Sequence, residues 1–584
     1  MAAVVCRSYF IRRSFHLANL QLGVAVLKHN DVQSAVIDMA HSGFLSVRDC
    51  WFTIRATILG DIALLRTEKI ENAAQRNRDE LFRFGTALLF IVGIMLFTIV
   101  RTDGGIDGTL MVAAAMIGGY MAMNIGANDV ANNVGPAVGS QAITLTGAIF
   151  IAAFFEASGA LVAGGEVVGT IKSGIINPDL VADRDTFIWI MIAALLAAAV
   201  WLNFATAFGA PVSTTHSIVG GVLGGGIAAA GWGIADWSVV GQIAASWIIS
   251  PMMGGLIAAG FLFIIKRTIT YKHDVLEASN RMVPVLVALM AWAFATYLML
   301  KGVKKVVAVS FPLAILIGVG VAVVVYLLMR PYIARRTAQM KNHKASVNEL
   351  FTVPLICAAA LLSFAHGAND VANAVGPLAG INEALTEGSV STKAGIPLWV
   401  MAVGAIGIAL GLALYGPKLI RTVGSEITEL DKMRAFCIAM AAAITVIIAS
   451  QLGLPVSSTH IAVGGVFGVG FLREYIKSSY ARMLEDIRDH HADSDPDEVE
   501  KFLAKFEIAD VASKGAMLRD MKDQAAADRL LGKQERRGLG RVHRVELVKR
   551  NLLLRIAAAW IITVPIAAVL SAMFFFMIRG MMLP

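Results

Sequence analysis

Residues 126–136 read Gly-Ala-Asn-Asp-Val-Ala-Asn-Asn-Val-Gly-Pro, and residues 367–377 read Gly-Ala-Asn-Asp-Val-Ala-Asn-Ala-Val-Gly-Pro; ten of the eleven positions are identical. An apolar run precedes each copy, Leu110 to Ile125 in the first case and Val353 to His366, with its one polar end, in the second. A polar cluster carrying Gly and Pro therefore stands where a bilayer-crossing helix should be apolar. This predicts a discontinuous membrane helix, with an unwound stretch whose carbonyls and side chains line a transport site.

The remainder of the chain agrees. Of its 584 residues, 57% are hydrophobic and 16% charged, more apolar than a soluble domain, which has roughly half and a quarter. Apolar runs long enough to span a bilayer recur, so the expected fold is all-α and polytopic with about 12 spans. The 54 glycines suit close helix approach. The net charge of +8 is read as topology rather than nucleic-acid affinity. Cys6, Cys50, Cys357 and Cys437 lack metal or redox spacing.

Two further landmarks recur. Pro211-Val-Ser-Thr-Thr-His216 returns as Pro455-Val-Ser-Ser-Thr-His460, offset by 244, close to the 241 that separates Gly126 from Gly367. Trp247-Ile-Ile-Ser-Pro251 resembles Trp560-Ile-Ile-Thr-Val-Pro565, offset by 313, so a polar insertion separates His460 from Trp560. Duplication on this scale predicts two inverted repeats with broken helices or re-entrant hairpins. The expected organisation is an N-terminal extension over 1–80, a first repeat over 81–265 and connecting spans with cytoplasmic loops over 266–349. A second repeat over 350–474, a cytoplasmic helical insertion over 475–551 and a last span over 552–584 follow.

An ionised Asp at mid-bilayer costs about 2.5–3.5 kcal/mol, and this chain carries one in each copy. Asp129 lies between Asn128 and Asn132, and Asp370 between Asn369 and Asn373. Oxygen donors around a carboxylate suit a hard cation, so these residues are expected to hold alkali ions or protons. Ser213, Thr214 and Thr215, and Ser457, Ser458 and Thr459, fall at the start of a helix. Hydroxyls and unpaired amides there make an anion site. His216 and His460 fit a structural or a proton-carrying role equally. No Lys or Arg lies in the motifs or their flanking spans, so an anion held there needs a co-bound cation. Glu156, a third intramembrane acid, is a further functional candidate. His490-His491 lacks further ligands at a defined spacing.

Together these motifs resemble the inorganic phosphate transporter (Pit) family. Ala137-Val-Gly-Ser140, Phe155-Glu156, Gly169-Thr-Ile-Lys172 and Ser363-Phe-Ala-His-Gly-Ala-Asn-Asp370 look most similar to its sodium-dependent branch. The resemblance implies inverted repeats with re-entrant hairpins, commonly dimeric, moving phosphate with sodium. It implies phosphate at Asn132, Asn373 and the Ser/Thr clusters. It implies sodium at Asn128, Asp129, Asn369 and Asp370, and a role in coupling for Glu156. The branch has a second Glu where Ala439 stands here, which leaves the coupling ion open. The expected activity is sodium–phosphate symport by a homodimer in the plasma (inner) membrane, without a cofactor and without nucleic acid. Proton-coupled carriage of phosphate or metal–phosphate and sulfate permeation are the rivals. A membrane hydrolase or a flux-less phosphate sensor would need signatures that the motifs lack.

Overall fold

In hydrocarbon every backbone N–H and C=O must be satisfied within its own segment, and helices do this. The computed structural model describes residues 80–208, 212–303, 309–388, 395–426, 431–491 and 550–582, with Arg78 and Val307, and the statements below concern these. Expectations for residues 1–77, Pro211, Lys304, Lys305 and 492–549, and for the side chains of His490 and His491, lie outside the described residues. The chain divides into Met1–Thr86 and Ala87–Pro584; the second unit carries the site.

Among the described residues, eleven helices are long and apolar enough to cross a membrane. The elements are α1 (Glu80–Arg101), α2 (Gly105–Asn128), α3 (Val130–Gly139), α4 (Leu145–Ala163), α5 (Arg184–Ala207), α6 (Thr214–Ala230) and α7 (Trp237–Ile265). Then come α8 (Val275–Lys301), α9 (Phe311–Thr337), α10 (Thr352–Asp370), α11 (Ala372–Glu387) and α12 (Leu398–Glu426). The last three are α13 (Lys432–Gln451), α14 (Ser458–His491) and α15 (Arg550–Met582).

The halves pack by exchange. α2 lies along α12 as α10 lies along α4, and α6 lies along α15 as α14 lies along α7. The site is thus built between two repeats rather than within either. Glycine permits the closest crossings. A Cβ on Gly126 would come within 1.9 Å of the Ile408 carbonyl oxygen, and one on Gly367 within 2.1 Å of that of Glu156.

The interruption at the paired motif is milder than the sequence suggests. α2 and α3 are separated only by Asp129, whose φ of −85° and ψ of −35° stay helical. α10 and α11 are separated only by Val371, at −56° and −30°. The expected unwound stretch is therefore a one-residue break. Pro136 and Pro377 lie inside α3 and α11, and a proline removes the donor to the carbonyl four residues earlier. The carbonyls of Asn132 and Asn373 are released in this way without uncoiling.

Candidate transport site

The two acidic motifs meet. One ligand atom each from Asp129, His366 and Asp370 lie within 4.8 Å of one another, and all three residues are buried. Asp129 accepts from Thr214 Oγ1 at 2.6 Å and from Thr459 Oγ1 at 3.2 Å, one hydroxyl from each half. Asp370 accepts from Ser458 Oγ at 3.3 Å. The asparagines reach across as well. Asn132 Nδ2 donates to Thr459 Oγ1 at 2.8 Å, and Asn373 Nδ2 donates to Thr214 Oγ1 and Thr215 Oγ1 at 3.1 and 3.2 Å. Thr215 Oγ1 donates to the Val456 carbonyl at 3.0 Å, so the N-termini of α6 and α14 face each other.

Other candidates form bonds within their own half. Asn128 Nδ2 donates to Thr206 Oγ1, and Asn369 Nδ2 to Ser450 Oγ and the Leu454 carbonyl. Ser213 and Ser457 cap their own helices, accepting from the amides of His216 and His460. The histidines are packed by the repeated tryptophans. His216 stacks on Trp247 with centroids 3.6 Å apart, His460 on Trp560 at 3.5 Å, and the imidazoles approach each other to 4.5 Å.

Five buried oxygens of the two acidic motifs lack a hydrogen-bond donor: Asn128 Oδ1, Asn133 Oδ1, Asn369 Oδ1, Asn373 Oδ1 and Asp370 Oδ1. Asn369 Nδ2 meets a carbonyl, and Asn373 Nδ2 meets hydroxyls that themselves donate to Asp129 and to the Val456 carbonyl, which fixes the oxygen end of these two asparagines. Buried acceptors are normally satisfied. Unsatisfied oxygens on Asp370 and on asparagines that neighbour the two aspartates in the chain are of the donor type a hard cation prefers.

Sequence reasoning gave no role to three residues here. His366 Nδ1 lies 2.7 Å from Glu156 Oε2 and its Nε2 lies 2.8 Å from Asp370 Oδ2, the latter in ion-pair rather than aligned hydrogen-bond geometry. Asn133 Nδ2 donates to Glu156 Oε1 at 2.7 Å. Lys172 is buried, but it is held by Glu383 at 2.7 Å and is not free to neutralise an anion. Ala439 is buried in α13 and offers no carboxylate.

The model of a phosphate transporter family matches residues 125–571, a range that contains both acidic motifs and both hydroxyl motifs. The chain belongs to this phosphate transporter family. Similar family members include a Helicobacter pylori (strain J99) protein named "Putative phosphate permease", 52% identical over 517 residues, which cover 87% of this chain and 97% of the relative. A namesake from Chlamydia muridarum is 40% identical over 402 residues, 65% of this chain and 93% of that one. A solved structure described as "The sodium-dependent phosphate transporter" is 30% identical, with a TM-score of 0.65, covering 81% of this chain and all of that one. This family member is a multi-pass phosphate transport protein, not an enzyme.

Proposed function

We propose that the chain takes up inorganic phosphate by secondary active symport with sodium. The observation that carries this is the meeting of two buried carboxylates, one from each repeat, whose motifs also hold donor-less oxygens. Two buried carboxylates so close repel each other, and a co-bound cation relieves that repulsion. The same cation offsets the charge of an oxyanion in a site whose motifs carry no Lys or Arg. Sodium is held by Asn128, Asp129, Asn369 and Asp370. Phosphate is met by Asn132, Asn373, Thr214, Thr215, Ser458 and Thr459 at the opposed N-termini of α6 and α14, where helix dipoles favour an anion, while Ser213 and Ser457 cap those two helices. Glu156 belongs to the coupling apparatus. Alternating access follows if the repeats rock about the shared site. The reading extends to a homodimer in the plasma (inner) membrane, which sizing in detergent and fractionation would check.

Proton coupling is the second reading, favoured by a histidine standing between two carboxylates. Radiolabelled phosphate uptake into proteoliposomes, with sodium and pH gradients imposed separately, tests both. Uptake that follows the sodium gradient at equal pH supports symport with sodium. Uptake that ignores sodium and follows the pH gradient overturns it.

A further inference from the structure

The two repeats can be matched residue by residue through their closest crossings. A Cβ on Gly126 would meet the Ile408 carbonyl, and one on Gly367 that of Glu156; one on Gly411 would meet the Met123 carbonyl, and one on Gly159 that of Phe364. The pairs Gly126 and Gly367, and Met123 and Phe364, are each offset by 241 positions. The pairs Gly159 and Gly411, and Glu156 and Ile408, are each offset by 252. Under this correspondence Asp129 matches Asp370, but Asn133 matches Ala374, Glu156 matches Ile408 and His366 matches Ile125. The chain Asn133–Glu156–His366–Asp370 exists once. In the other half its first three positions are apolar or side-chain-poor.

The hydroxyls compensate in the opposite sense. Asp129 receives two, from Thr214 and Thr459. Asp370 receives one, from Ser458, because Thr215, which matches Thr459, donates instead to the Val456 carbonyl. His366 joins Ser458 at Asp370 Oδ2. Glu156 itself is 0% exposed, and each of its oxygens carries a bond of 2.7 Å, to Asn133 and to His366. Both of its oxygens are therefore turned to protein partners in a fully buried setting. Asp370, in contrast, has Oδ2 engaged and Oδ1 without a donor.

From this geometry we infer that Glu156 is a positioning residue. It holds the His366 imidazole, which fixes the Asp370 carboxylate with Oδ1 turned to the cation, and so makes the two carboxylate sites inequivalent. The inference rests on the sodium-symport reading of the site and refines the part played there by Glu156. Partners that orient a metal-binding side chain characteristically change ion affinity about 10–100-fold when removed.

The test is phosphate uptake by reconstituted full-length protein, with sodium half-saturation and phosphate KM measured separately. Glu156→Ala raises the sodium half-saturation about 10–100-fold and leaves the phosphate KM nearly in place. His366→Ala gives the same split. The Glu156→Ala/His366→Ala double variant is no worse than the poorer single, because both act as one unit. Glu156→Gln restores sodium half-saturation to near wild type. Its amide oxygen accepts from His366 Nδ1, and its amide nitrogen donates to Asn133 Oδ1 once the Asn133 amide turns over, since Nδ2 is the end that faces Glu156 in the native protein. Glu156→Gln is isosteric and keeps the packing, and size-exclusion profiles check that each variant is folded. A Gln variant as defective as the Ala variant, additive losses in the double variant, or a loss confined to the phosphate KM would each overturn the inference. Wild-type uptake indifferent to sodium would instead defeat the parent reading; the same ranking, measured with the ion that drives uptake, would then still decide the role of Glu156.

Discussion

Replacing Asp129 by Asn separates an ion-binding carboxylate from a structural one by the sign of its effect on stability. The Asp129 and Asp370 oxygens lie within 4.8 Å of each other and are buried. At an effective dielectric of about 20, two unit charges at that separation repel by about 3.5 kcal/mol. Without sodium this repulsion weighs on the folded protein; with sodium bound it becomes shared attraction. Asn is nearly isosteric, and its oxygen can still accept from Thr214 or Thr459. Asp129→Asn is therefore expected to melt higher than wild type in choline chloride. It should lose most of the stabilisation that sodium confers on wild type, which reaches about 2.7 kcal/mol at a hundredfold excess over Kd. A loss of about 3 kcal/mol in cation attraction corresponds to about 100-fold weaker sodium binding. Thermal unfolding of detergent-purified protein, with sodium and choline exchanged at constant ionic strength, measures both effects. A variant that melts lower in choline and keeps the full sodium-dependent rise would refute the reasoning.

Three other expectations are independent of that one. Gly367→Ala, whose Cβ would lie 2.1 Å from the Glu156 carbonyl oxygen, should lower stability by about 1–3 kcal/mol or more. Gly260→Ala, in α7 with open space around it, should be neutral or stabilise by up to about 1 kcal/mol; melting curves of the two, side by side, check this. Lys172→Met leaves Glu383 without its 2.7 Å ion-pair partner and should cost about 3–5 kcal/mol, with much of the loss recovered in Lys172→Met/Glu383→Leu. Sulfate in excess should compete poorly with radiolabelled phosphate for uptake. The site is rich in acceptors, hydrogen phosphate brings an O–H to donate and sulfate brings none, and sites that bond a substrate hydroxyl reject analogues lacking it.

Much of this arrangement was legible in the chain because it is written twice. The repeated acidic motif and the repeated hydroxyl motif are the elements that converge, and the repeated tryptophans are the ones that stack on the repeated histidines. What escaped was the pairing of residues that occur once. His366 sits four residues before Asp370, but its other partner, Glu156, is 210 positions away. Lys172 and Glu383 are 211 apart, a separation with no local periodicity to betray it. One signal was available: the single mismatch between the copies is Asn133 against Ala374, and Asn133 is the residue that bonds Glu156. The unwound backbone inferred from Gly and Pro was the wrong mechanism. Gly126 and Gly367 serve helix contact, and Pro136 and Pro377 free carbonyls within helices that continue.

Equilibrium binding of radiolabelled phosphate to the purified protein, in sodium chloride and in choline chloride at the same pH, tests most directly whether one cavity holds the anion and its cation together. Saturable binding in sodium that is lost in choline, and lost in both for Asp129→Asn, is the predicted result. Equal phosphate binding in the two salts would contradict it.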